Sequence, residues 1–260
     1  VDETIFPLLI ITLVVLYTIV SFKKKISSLF LNQDKKRELH EFFSKRINYF
    51  NGLSNKGKER FLYRAFSMQT NFTIVGRGGF IITEEVKLFV LAAYIQLTLG
   101  IRSYSLPIFR TIIIYPESYR NPFTGQMHDG EVNPRGVIVL SWKRLLKGYE
   151  NPTDCINLGL HEMAHALRYA ISKSESFEYE IEKEMSNFNL LSKVEIEKMH
   201  SNQEYYLRNY AGTNTSEFFA IAVEHFFESP IELRSNLPMV YNGLVKLLKQ
   251  DPAIGYFGVN

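Results

Sequence analysis

Residues 160–167 read Leu160-His161-Glu162-Met163-Ala164-His165-Ala166-Leu167. Residues four apart stack on one face of a helix, so His161 and His165 can offer imidazole nitrogens to one ion. Glu162 stands one residue on, where its carboxylate can reach a water on that ion. Zinc takes nitrogen ligands in tetrahedral geometry, and this spacing suits it. Ile156, Leu160, Met163, Ala164 and Leu167 repeat at helical spacing. Asn151-Pro152-Thr153-Asp154 supplies an Asn N-cap, a Pro at the first helical position and an acid in the first turn, which predicts that the helix opens there. Two histidines on an ordinary helix are the plain alternative, and the downstream carboxylates weigh against it.

Those carboxylates follow Tyr210-Ala211-Gly212-Thr213-Asn214-Thr215-Ser216-Glu217, in the run FFAIAVEHFF. Asn214 or Thr215 starts a helix there. Glu217 and Glu224 are seven apart, on one face of a helix that is otherwise almost wholly apolar, and Ala220 between them permits close approach of another helix. Buried carboxylates are costly without partners. A metal ion with its supporting groups is one way to meet that cost; bonds to other buried polar groups are the alternative. A structural zinc would want four protein ligands, usually with cysteines, and Cys155 is the only cysteine. It also excludes an intrachain disulfide framework and reads as a buried thiol at the start of the motif helix. Two histidines plus one carboxylate leave an open position, the catalytic arrangement, with Glu162 as general base. Tyr210 is the best-placed phenol in sequence for an oxyanion, and a core tyrosine is its alternative reading.

The 260 residues are 46% hydrophobic and 14% aromatic, which suits one globular domain plus an extra segment. A net charge of +3, with Lys and Arg widely spread, is too mild to imply nucleic acid. The extra segment is Ile5 to Phe22, which carries no charge. Eighteen residues of helix span about 27 Å, near the lower limit for a bilayer. Acids precede the run and Lys23-Lys24-Lys25 follows it, the reverse of a signal peptide. Residues 1–22 are therefore expected to be a transmembrane anchor, 23–33 a basic juxtamembrane linker and 34–260 the folded domain. The positive-inside rule places the folded domain in the cytoplasm, on a single-pass cell-membrane protein.

Within the domain, residues 34–50 predict an amphipathic helix, Ser54 caps a second, and Phe72 to Val75 form a short strand. Gly76-Arg77-Gly78-Gly79 is a turn rather than a phosphate loop, since no Lys-Ser/Thr pair follows. Thr83 caps an all-round apolar helix that Gly100 closes. Phe109 to Tyr115 and Val137 to Trp142 are strands, and 117–136 reads as a loop holding a solvated His128. The strand at 137–142 is expected to line the cleft and pair with an extended peptide. Residues 172–190 read as a surface excursion, 193–208 as a polar helix and Leu237 to Leu248 as the last helix.

From about Gly52 to Ala253 the chain resembles the Mlc titration factor A family of zinc peptidases. The carrying stretches are Gly78-Gly79 before TEEVKLFVLAA, then TIIIYPESY, GVIVLSW, HEMAHAL, YAGTNTSEFFAIAVEHFFESP and KQDPA. That family's site is similar to the catalytic domain of anthrax lethal factor. The resemblance implies an α+β, zincin-like fold, mostly helical with a small mixed sheet. It implies zinc held by His161, His165 and Glu217, Glu162 as base and Tyr210 as oxyanion donor. Glu224, seven residues on along the same face, is the rival for third ligand and is expected to support the site from behind the ligands. The resemblance also implies activity on peptide or protein substrates, aminopeptidase-like on small ones, and a possible regulatory protein partner. A binding protein that sequesters a repressor without hydrolysis is the alternative function. Arg168 departs from the family, which usually has Asp three residues after the second histidine.

Overall fold

The computed structural model describes residues 33–102, 104–121, 125–173, 177–201 and 204–255. The expected anchor at Ile5 to Phe22, and nearly all of the basic linker, lie outside these residues. Among those described, no helix is long and apolar enough to cross a membrane.

The first helical segment is two helices, α1 (Gln33–Arg46) and α2 (Asn48–Gly52), because extended Ile47 interrupts it. Helix α3 (Asn55–Ser67) follows, with Ser54 accepting from the Gly57 N–H as expected. Phe43, Phe50 and Phe61 from these three helices meet edge-on or tilted, at centroid distances of 4.9 to 5.8 Å. Strand β1 (Thr73–Gly76) leads to α4 (Glu84–Thr98), capped by Thr83. Nearly every side chain of α4 after its first turn is buried, as its all-round apolar pattern requires.

Strand β2 (Thr111–Tyr115) comes next. The segment expected as loop instead holds three short strands, β3 (Tyr119–Arg120), β4 (Met127–His128) and β5 (Gly130–Asn133). Their polar, Gly-rich composition hid them. β3 and β4 form a small antiparallel pair, and His128 belongs to it. After β6 (Val137–Ser141) the chain turns straight into α5 (Trp142–Glu150), a helix the sequence reading did not anticipate. The main sheet runs β1-β2-β6-β5, parallel except for antiparallel β5 at the edge. The strand expected at the cleft, β6, is thus internal, hydrogen-bonded on both sides, and has no free edge for a peptide. β5 takes that place.

Helix α6 (Leu158–Lys173) carries the motif but opens later than predicted. Asn151 caps the end of α5 instead, with its N–H on the Lys147 carbonyl. Its side chain and the Ile156 N–H both bond Asp154, closing a separate turn. Cys155 sits in this turn at φ 57, a left-handed conformation that no helix continues through. Ile156 is consequently exposed rather than on the helix's apolar stripe. The true N-cap is Asn157, whose Oδ1 accepts from the Leu160 N–H at 3.0 Å. Gly159 lies where a Cβ would sit 2.8 Å from Leu145 and 3.0 Å from Ala93, so its missing side chain lets α6 settle between α4 and α5.

The chain then forms α7 (Tyr179–Ser201), one helix spanning most of what reads as a surface excursion plus a separate polar helix. Ile181, Met185 and Phe188 bury one face of it, while Tyr179, Leu190 and Val194 are exposed. A 3₁₀ turn (Asn209–Thr213) precedes α8 (Thr215–Glu228). Two Pro-initiated helices, α9 (Pro230–Asn236) and α10 (Pro238–Leu248), close the domain where one helix was expected. The architecture is α+β, mostly helical, with the mixed sheet in contact with α5 and α6.

Candidate metal centre and cleft

Helices α6 and α8 pack side by side with Ala164 and Ala220 fully buried between apolar neighbours. Asn214 Oδ1 accepts from the backbone N–H groups of Ser216 and Glu217, at 2.8 and 3.0 Å. That cap starts α8 where Glu217 falls in the first turn, beside the positive end of the helix dipole. Across from it, His161 and His165 project from successive turns of α6, with their Nε2 atoms 3.1 Å apart. Glu217 Oε2 lies 3.2 Å from His161 Nε2, and Oε1 lies 3.4 Å from His165 Nε2. One ligand atom from each of the three residues falls within 4.8 Å of the others.

The far nitrogens of both imidazoles are held. His161 Nδ1 is 2.5 Å from Glu224 Oε1, and His165 Nδ1 is 2.9 Å from Ser216 Oγ. A donor at Nδ1 leaves a lone pair on Nε2, so these bonds turn the two Nε2 atoms toward a shared cation. Glu224 is 1% exposed. Arg208 grips both its oxygens at 2.9 to 3.0 Å, and the Asn157 N–H donates to Oε2 at 3.3 Å. Glu224 therefore faces the back of His161 rather than the centre. Arg168 donates to Asn189 and Thr215, bracing α6 against α7 and α8. Support for the histidines comes from α8, so the departure at residue 168 does not remove it.

The donor set fits a divalent metal. Glu217 Oε2 is buried, and its approach to His161 lacks the alignment of a hydrogen bond, leaving that oxygen without a hydrogen-bond partner. Glu162, Glu217 and Glu224 converge here, and only Glu224 has an arginine. Burial raises the Glu162 carboxyl to about 8, with Glu217 and Glu224 adding to the rise and His161 opposing it. Burial would lower His161, but the nearby carboxylates of Glu217 and Glu224 win and raise it. Burial would raise Glu217, yet the two imidazoles hold it below the usual carboxylate range. The cluster of carboxylates makes the centre attract positive charge.

The cleft over this centre has two halves, of about 410 and 430 Å³. His161, Glu162 and Tyr210 line both halves. Glu162 is 6% exposed and lies against Gly130, where an added Cβ would come within 2.5 Å of its Oε1. Tyr210 is 56% exposed on the 3₁₀ turn, and burial together with the charges of Glu217 and Glu162 raises its phenol. The sequence reading missed Arg208, Asn157, Ser216 and Gly130. A lone arginine, asparagine, serine or glycine carries no spacing signal. Cys155 is buried, with its thiol pushed up to about 12 chiefly by burial, as a structural thiol requires.

A mixed-sheet α+β domain holding two histidines and a glutamate, with a second glutamate over a cleft, has the form of a metal-dependent hydrolase. The family profile described as glucose-regulated metallo-peptidase M90 matches residues 22–249, and the chain belongs to that family. Among its relatives is an uncharacterized protein of Synechocystis sp., 25% identical over 80% of this chain and 82% of its own length. The proteins named Mlc titration factor A from Serratia proteamaculans and Yersinia enterocolitica are 24% and 25% identical, each over 77% of this chain and 82% and 81% of theirs. The resemblance read from the sequence is therefore upheld.

Proposed function

We propose that this chain is a zinc-dependent peptidase with a zincin-type site, aminopeptidase-like on small substrates. The convergence of His161, His165 and Glu217, with both imidazoles held from behind, supports this reading most directly. When bound there, zinc would lower the pKa of a water to about 7 and polarise the scissile carbonyl. Glu162 takes the proton from the attacking water and later delivers it to the leaving amine. Its burial against Gly130 keeps it next to the cleft. The Tyr210 phenol, held protonated by its surroundings, donates to the oxyanion. Substrate lies extended along the free edge of β5, where Gly130, Glu131 and Val132 all line the cleft.

The uncharged run at Ile5 to Phe22 and the lysines after it support a single-pass anchor with the domain in the cytoplasm. Protease protection in sealed vesicles checks that orientation. The name carried by two relatives supports a second reading, in which the folded surface binds a regulatory protein without hydrolysis. Purified Glu162→Gln separates the readings. A peptidase keeps its zinc and loses turnover, while a sequestering module keeps its effect. Alanine at His161, His165 or Glu217 should lower zinc content, and full zinc in Glu217→Ala beside loss in Glu224→Ala would overturn the ligand assignment.

A further inference from the structure

β5 joins β6 with Glu131 opposite Val139, and Ser141 N–H donates to the Asp129 carbonyl. In an antiparallel ladder this register turns the N–H and C=O of Asp129, Glu131 and Asn133 toward β6. Those of Gly130 and Val132 point out of the sheet at its free edge. A peptide pairing antiparallel with that edge bonds Gly130 and Val132. Its residue opposite Glu131 is then a non-hydrogen-bonded neighbour, the kind whose side chains lie closest. Gly130 and Val132 share the sheet face of buried Leu140 and Ile138, so Glu131 lies on the other face.

The Glu131 carboxylate is fixed on one oxygen only. Asn121 Nδ2 and Tyr119 Oη donate to Oε2 at 2.6 and 3.2 Å, and Oε1 has no bond among the described residues. β5 runs from Gly130, against Glu162, toward the Tyr169 and Ser172 end of the cleft. An antiparallel substrate runs the other way, so its residue opposite Glu131 lies on the N-terminal side of the bond at Glu162.

We infer that Glu131 is a specificity-determining residue, selecting a positive charge on the substrate just N-terminal to the scissile bond. The charge is an ammonium group, from a free chain terminus or from a lysine side chain. The inference rests on the peptidase reading and deepens it.

Short peptides carrying Lys or Gln at that position, each with a free or an acetylated N-terminus, test it by their kcat/KM ratios. The zinc-loaded protein should favour the cationic peptides by about 2- to 10-fold. The preference should shrink with added salt and fall to about one in Glu131→Gln, with metal content and Tm confirming an intact fold. Loss of preference on acetylation assigns the terminal ammonium, and loss only on Lys to Gln assigns the side chain. No preference in the native protein, or one that survives both Glu131→Gln and salt, overturns the inference. Binding of the same peptides to Glu162→Gln reads the same ratio without turnover, so absent hydrolysis sinks the peptidase reading while this preference is still decided.

Discussion

Gly130 shows how one missing atom shapes the site. A Cβ at this position would fall 2.5 Å from Glu162 Oε1 and 2.7 Å from its Cδ. The β5 backbone therefore passes as near to Glu162 as a backbone can. Gly130→Ala should displace the carboxylate, lowering kcat by about 10²-fold or more, the scale for a misplaced reacting group. Metal content and Tm should change little, since the clash is with one side chain at the cleft. Steady-state kinetics with metal analysis check this, and near-native kcat would show that the approach does not matter. The histidines and Glu162 were legible because a four-residue spacing on a helix has a geometric meaning. Glu217 and Glu224 were legible because acids in an apolar run demand an explanation. Their assignment to different roles came from the family's ligand position, because Arg208, which pairs with Glu224, comes from a different segment and leaves no spacing signal.

At the scale of elements, the proposed path of a substrate turns on β5, whose residues line the cleft. This strand was invisible in the sequence, since Gly130-Glu131-Val132-Asn133 is short, holds one β-branched residue, and has turn residues as neighbours. The more apolar β6 carries the stronger strand signal, but a strand rich in Val, Ile and Leu belongs inside a parallel sheet, not at its rim. Proline at Val132 removes an N–H that faces the free edge and no ladder bond. Val132→Pro should raise KM several-fold for extended peptides while Tm falls only modestly, since edges tolerate proline. The same substitution at Val139, inside the sheet, should unfold the domain. Peptide kinetics beside thermal melts check the pair, and an unchanged KM at Val132 would remove β5 from substrate binding. The late start of α6 has a comparable cause. Asn151 and Pro152 are good helix openers, and a local turn through Asp154 and Cys155 used them differently.

Across the whole molecule, α8 carries a third acid, Glu228, one turn beyond Glu224. Asn157 Nδ2 donates to its Oε1 at 3.0 Å, while Oε2 is buried without a partner beside a cavity of about 170 Å³. Burial raises its carboxyl from 4.5 to about 7. A folded-state value above the unfolded one gives a stabilisation that is full below pH 4.5 and lost as pH rises through about 7. Glu228→Gln, which stays neutral, should therefore gain on the native protein with rising pH, by about 1–3 kcal/mol between pH 5 and 8. Denaturant melts at the two pH values check this, and parallel changes in both proteins would refute it. The burial of α4 followed from its all-round apolar pattern, and the α+β class from the resemblance to the family. The sheet order did not, because strand pairing joins distant segments that leave no mark on one another's sequence.

Arg208 has a wider effect than its ion pair with Glu224. The same guanidinium donates to the Cys155 carbonyl at 2.6 Å, tying the turn before α6 to the segment before α8. His161 cannot swing aside without unlocking that knot. The three donors of the centre are thus brought together by folding itself. A loose set of donors wraps whichever cation is abundant, whereas a clamped one sorts cations by radius and preferred coordination.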